Sequence, residues 1–182
     1  MRFVLDTSCL IAAQEPADAH HVAVSELFSL GAAGRAELLV SHTSYAYDLE
    51  NDTVAERRAQ RLAWLDEQPL GKVPGAFTWD VSRLGHGDVW LSDEIAEQAN
   101  ALNRLLLDEA RFSRRKAIDP HHMVAALMAG ADFVTTDYSD ILRRRDRISN
   151  LSGLSVMSPA EAVCKIRTSN EGPSAPGRSR GG

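Results

Sequence analysis

Lysine is nearly missing from this chain: Lys72, Lys116 and Lys165 are the only three in 182 residues, which carry a net charge of -5. An acidic protein so poor in lysine is not built to coat nucleic acid electrostatically, so any such contact would depend on local arginine patches. Cysteine is equally scarce. Cys9 and Cys164 lie in apolar contexts without CxxC spacing, which argues against a zinc ribbon or a dithiol redox pair and predicts two reduced core thiols. No apolar run approaches the roughly 20 residues of a membrane span. The amino terminus also lacks a secretory pattern, because Arg2–Leu5 runs straight into Asp6. These absences predict a cytoplasmic protein. What is present is enough hydrophobic sequence, 44%, to build the core of one domain.

Arginine supplies the positive charge, in three groups: Arg57, Arg58 and Arg61; Arg111, Arg114 and Arg115 with Lys116; and Arg143, Arg144, Arg145 and Arg147. Taken alone, each group reads as a solvated helix face.

The order of elements alternates. Arg2–Leu5 reads as a strand ending at Asp6, followed by a helix over Ser8–Ala13 that Pro16 stops. Val24, Leu27 and Phe28 recur at helical spacing between Asp18 and Gly31, and Leu38–Ser41 is a second strand. Thr53–Glu67 is a helix closed by Pro69, whereas Gly71–Gly87 reads as an irregular loop or short hairpin. Ser92 is placed as an N-cap ahead of Asp93 and Glu94, with Ile95, Ala99, Leu102 and Leu106 as the apolar stripe. A further helix is expected to start at Asp119, with Pro120 at its first position. Phe133–Thr136 is a third strand, Asp137–Arg147 a short basic helix and Leu154–Met157 a fourth strand. Ser158, Pro159 and Glu161 form a capping box for the last helix. Strand alternating with helix predicts an α/β fold with a mostly parallel sheet, because parallel strands need crossover connections. The Ser-, Gly-, Pro- and Arg-rich stretch 168–182 predicts a disordered tail after a domain over 1–167.

Five carboxylates fall where strand and helix or loop should meet: Asp6, Asp48, Asp119, Asp137 and Asp140. Helix capping accounts for Asp6, Asp119 or Asp137 taken singly, since a carboxylate accepts hydrogen bonds from free helix N–H groups. It does not account for acids after three successive strand ends with no lysine nearby. The carboxyl ends of parallel strands converge on one crevice, and carboxylates gathered there repel one another unless protons or a cation intervene. An oxygen-only donor set suits Mg2+ or Mn2+ better than zinc or copper. His121 and His122 are therefore not expected as ligands, and beside a helix start they are expected to be partly exposed. Asp132 precedes its strand and should lie at the opposite edge from the acids.

Three segments in this order resemble the PIN domain, the metal-dependent nuclease fold of VapC-type toxins: Val4-Leu5-Asp6-Thr7-Ser8, the stretch from Asp119 to Ala125-Ala126, and Thr135-Thr136-Asp137-Tyr138-Ser139-Asp140. The resemblance spans residues 1–160. It implies a three-layer α/β/α sandwich and a Mg2+- or Mn2+-dependent ribonuclease acting on single-stranded or structured RNA. It also implies the toxin half of a type II toxin–antitoxin pair, with an antitoxin partner and a homodimeric state. By position, Asp6, Asp119 and Asp137 match the family's firmest acids and Asp140 a more variable fourth, while Ser8 or Thr135 matches a supporting hydroxyl. The family's glutamate after the second strand has no direct counterpart: Asp48-Leu49 fits its place, and Glu50 is the longer neighbouring side chain. Flanking the acid segments, Arg114, Arg115, Arg143 and Arg144 would hold the RNA backbone. Two other readings compete. A haloacid-dehalogenase-like phosphatase needs a second acid two residues after Asp6, where this chain has Ser8. A PIN-like module that binds RNA or protein without cutting needs no complete acid set.

Overall fold

The computed structural model describes residues 1–50, 52–75, 89–106 and 114–170, and not the side chains of 114–118 and 170. The chain runs β1 (Arg2–Leu5), α1 (Thr7–Gln14), α2 (His21–Ala32), β2 (Glu37–Ser41), α3 (His42–Leu49), α4 (Ala55–Glu67) and β3 (Gly71–Val73). It continues through α5 (Asp93–Leu106), α6 (Arg114–Ala129), β4 (Asp132–Val134), α7 (Arg145–Ser152), β5 (Val156–Met157) and α8 (Pro159–Asn170).

All the paired strands are parallel, in the order β3-β2-β1-β4-β5. Strand side chains alternate between faces, and β1 shows the result. Phe3 and Leu5 join a core with Leu10, Leu27, Leu65 and Ile166, from α1, α2, α4 and α8. Val4 faces the other way, toward Leu102, Met123 and Ile148 of α5, α6 and α7. A central strand apolar on both faces requires helices on both faces, and the α/β/α sandwich expected from the alternation is the fold observed. Each fully buried Leu or Phe contributes roughly 1.5–3 kcal/mol to holding these layers together.

Several boundaries differ from expectation, for local reasons. Gly71–Val73 is not irregular: it forms β3 on the edge of β2, where a Cβ on Gly71 would lie 2.5 Å from Leu39 Cδ2. The rest of the stretch expected to be irregular, 76–87, lies outside the described residues. β4 ends earlier than predicted because its backbone donors turn to side chains. Thr135 still donates its N–H to the Met157 carbonyl, but the N–H groups of Thr136 and Asp137 go to Ser8 Oγ and Thr135 Oγ1. The basic helix expected from Asp137 is instead a turn, a 3-10 segment over Leu142–Arg144 and then α7, which stops at Gly153 with φ 71°. Only the two residues Val156 and Met157 of the expected fourth strand pair as β5. Residues 168–170, assigned to the tail, continue α8, and 171–182 lie outside the described residues. Cys9 is buried as expected, but Cys164 is exposed, because α8 turns Ala162, Val163 and Ile166 to the core and Cys164 away from it.

Asp119 is not an N-cap. Arg114, Arg115, Lys116 and Ala117 are good helix formers, so α6 begins upstream and carries Pro120 in its interior. The caps predicted at Ser158 and Ser92 are present. Glu161 Oε2 accepts from the Ser158 N–H while Ser158 Oγ accepts from the Glu161 N–H, and Ser92 Oγ accepts from the Ile95 N–H.

Candidate functional site

The strand order reverses direction at β1: the chain moves to β2 on one side and returns to β4 on the other. Ligands of open α/β sheets bind outside the carboxyl ends of the strands at such a switch point. Asp6 follows β1 directly, and Asp137 follows β4 after Thr135 and Thr136.

Asp6 is buried and sits in the N-cap position of α1, yet its side chain caps nothing. Its Oδ2 instead accepts hydrogen bonds from Ser8 Oγ and Thr135 Oγ1, both at 2.7 Å. The two hydroxyls accept in turn from the Thr136 and Asp137 N–H groups, so each passes a backbone donor of the loop after β4 on to Asp6. Asp137 uses Oδ1 within its own turn, accepting from Ser139 Oγ at 2.8 Å and from the Asp140 N–H at 3.0 Å.

Asp119 registers the whole assembly. Burial, then the charges of Asp6, Asp48, Asp137 and Asp140, push its carboxyl from 3.8 up to about 8. The other four acids singled out from sequence therefore lie within electrostatic reach of Asp119. Asp48 is half-buried on α3, whereas Glu50 is exposed at that helix's C-cap. Asp140 is exposed and only loosely paired, 3.9 Å from Arg143 and 4.0 Å from Arg144. Asp132, at the start of β4, pairs with Lys165 on the far side. The side chains of Arg114 and Arg115, and all of Arg111, lie outside the described residues. The Arg57 and Arg61 guanidinium groups are taken up by Asp52 and Glu15.

The two histidines were misjudged, because Asp119 lies within the helix and they follow it into the core. His121 is 3% exposed and His122 is 0%. His121 Nδ1 lies 2.6 Å from Ser44 Oγ on α3, one turn before Asp48, and His122 Nε2 lies 3.1 Å from Thr7 Oγ1, next to Asp6. Adjacent side chains on α6 thus tie the helix bearing Asp119 to the elements bearing the other two acids. Two polar residues ahead of the apolar stripe of Met123 and Ala126 were the available signal.

The carboxylate and hydroxyl oxygens suit a hard divalent cation. Among the described residues, no three Asp, Glu, His or Cys side chains stand close enough to hold an ion as they are. Carboxylates that raise one another's pKa, as the neighbours of Asp119 do, mark a place where a cation would relieve the repulsion.

No family model matches the chain, and no curated protein matches it. A solved structure does. A chain in the crystal structure of VapBC2 from Rickettsia felis, bound to a DNA fragment from their promoter, superposes with a TM-score of 0.51. The match covers 87% of this chain and 98% of that one at 13% identity. The two chains share a fold. The likeness to the VapBC2 chain therefore agrees with the α/β/α sandwich read from the sequence, and at this identity it concerns the fold alone. Among the described residues no helix is long and apolar enough to cross a membrane.

Proposed function

We propose that this protein is a Mg2+- or Mn2+-dependent endoribonuclease of the PIN type and the toxin component of a toxin–antitoxin pair. The observation that carries the reading is the half-buried Asp119, whose carboxyl is raised to about 8 by burial and by the charges of Asp6, Asp48, Asp137 and Asp140, beyond the carboxyl ends of β1, β2 and β4. Asp6, Asp119 and Asp137 hold the ion, Asp140 adds charge at the solvent side, and Asp48 completes the acidic wall. A bound divalent ion supplies positive charge to the scissile phosphate and lowers the pKa of a water. Thr135 and Ser8 both donate to Oδ2 of Asp6 and so fix the orientation of its carboxylate. Arg143 and Arg144 hold the backbone of the RNA.

The toxin role draws support from the shared fold with a VapBC2 chain. It carries with it an antitoxin protein as partner and a homodimeric state. Purified protein incubated with RNA is expected to cut it with Mn2+ and not with EDTA. Full activity in Asp6→Asn or Asp119→Asn would sink the assignment. Growth arrest on expression, relieved by the product of a small neighbouring gene, tests the toxin role.

The spread of the acids favours one second reading, a PIN-like module that binds RNA or protein without cutting. It is distinguished by RNA binding that persists in Asp119→Asn together with no cleavage by the wild type at any Mn2+ concentration.

A further inference from the structure

Beside the carboxylates, Tyr138 turns its ring to solvent at 73% exposure, the residue between two bonds that hold it still. Asp137 Oδ1 grips the Asp140 N–H at 3.0 Å, and the Tyr138 carbonyl accepts from the Arg143 N–H at 3.3 Å. The turn is therefore pinned from both ends while the side chain makes no use of the core. Tyr138 lines a surface cleft of about 470 Å3 together with Arg143, Arg145, Asp146, Ser158 and Glu161. Charge within the cleft is unevenly committed. Arg145 donates to Glu161 at 2.6 Å, and Glu161 also accepts from Ser158, so this pair is closed on itself. Arg143 is exposed, and among the described residues its guanidinium has only the 3.9 Å approach to Asp140. An aromatic face and a loosely held guanidinium within one cleft are the two elements that bind a nucleotide, the ring by stacking on the base and the arginine at the phosphate.

We propose that Tyr138 and Arg143 form a nucleotide subsite, with the base of one RNA nucleotide stacked on Tyr138 and its phosphate on Arg143, next to the carboxylates. The inference rests on the ribonuclease reading above and adds to it a specific anchoring nucleotide. A stacked base without directional hydrogen bonds makes this subsite tolerant of base identity but intolerant of a missing base.

The test uses the full chain with a fluorescently labelled octaribonucleotide in Ca2+, and binding is read by anisotropy. A companion series moves one abasic residue along the octamer. The expected results are a loss of about tenfold in affinity for Tyr138→Ala, near wild-type binding for Tyr138→Phe, and one abasic position that costs the wild type about tenfold. That abasic position should cost Tyr138→Ala nothing further, since base and ring are partners in one contact. Arg143→Ala should weaken binding and flatten its salt dependence by about one phosphate contact. Unchanged binding in Tyr138→Ala, or an abasic penalty that survives it, overturns the subsite while leaving the ribonuclease reading intact. No binding of any octamer by the wild type overturns the RNA reading and the subsite with it.

Discussion

Thr135 Oγ1 donates to Asp6 Oδ2 across 2.7 Å, joining the carboxyl ends of β1 and β4, two neighbouring strands whose residues are 129 positions apart in sequence. Both residues are buried, so the bond has little competition from water.

Thr135→Val keeps the shape and removes that donor and the acceptor of the Asp137 N–H. Hydrogen bonds to charged groups contribute about 1.5–3 kcal/mol, and a loss of this size is expected in urea unfolding. RNA cleavage should fall as well, because Asp6 loses the bond that orients it. Ser at this position should restore most of both.

Asp119 sets the pH dependence. Its folded-state value of about 8 lies above its ordinary 3.8, so between these values the folded protein binds a proton that the unfolded chain does not. Its contribution to stability is thus fully present below pH 3.8 and is lost as pH rises through about 8. Without divalent ions, melting temperature measured from pH 5 to 8 should fall with a steeper slope in the wild type than in Asp119→Asn. On the proposed metal-dependent reading Mn2+ would displace this proton, so its apparent affinity should rise by up to about tenfold per pH unit below pH 8. Asp119→Asn should lose that pH dependence together with most of the Mn2+-induced rise in melting temperature. Parallel slopes for the two proteins would remove Asp119 from the centre of the acidic cluster.

The histidine ties make a separate prediction. His122→Ala leaves Thr7 without its ring partner and opens a cavity between α6 and α1, which should cost about 2–4 kcal/mol in urea unfolding. His20→Ala, at an exposed position, should stay within about 0.5 kcal/mol of wild type. Equal small effects for the two would mean that His122 is not a tie.

What could be read in advance followed local rules. The two-sided apolar run Phe3-Val4-Leu5, the capping box at Ser158 and Glu161, and the acids at strand ends are each visible within a few residues. Misreadings arose where a local signal had a stronger competitor. Pro120 looked like a helix start, but the helix-forming residues before it extended α6 upstream. The β-branched pair Thr135 and Thr136 looked like strand, but their hydroxyl and N–H groups were needed at Asp6 and Ser8.

By itself the sequence determined the alternation of strand and helix, the parallel sheet this requires, and that Asp6 and Asp137 follow strands, because periodicity and end signals are properties of short segments. Only the tertiary structure decided that four other carboxylates act on Asp119, that Asp48 is half-buried among them while Glu50 is solvent-exposed at the α3 C-cap, and that His121 and His122 hold α6 to α3 and α1. Those outcomes depend on distances between segments far apart in the chain, and burial and charge repulsion take their values only once the layers have packed.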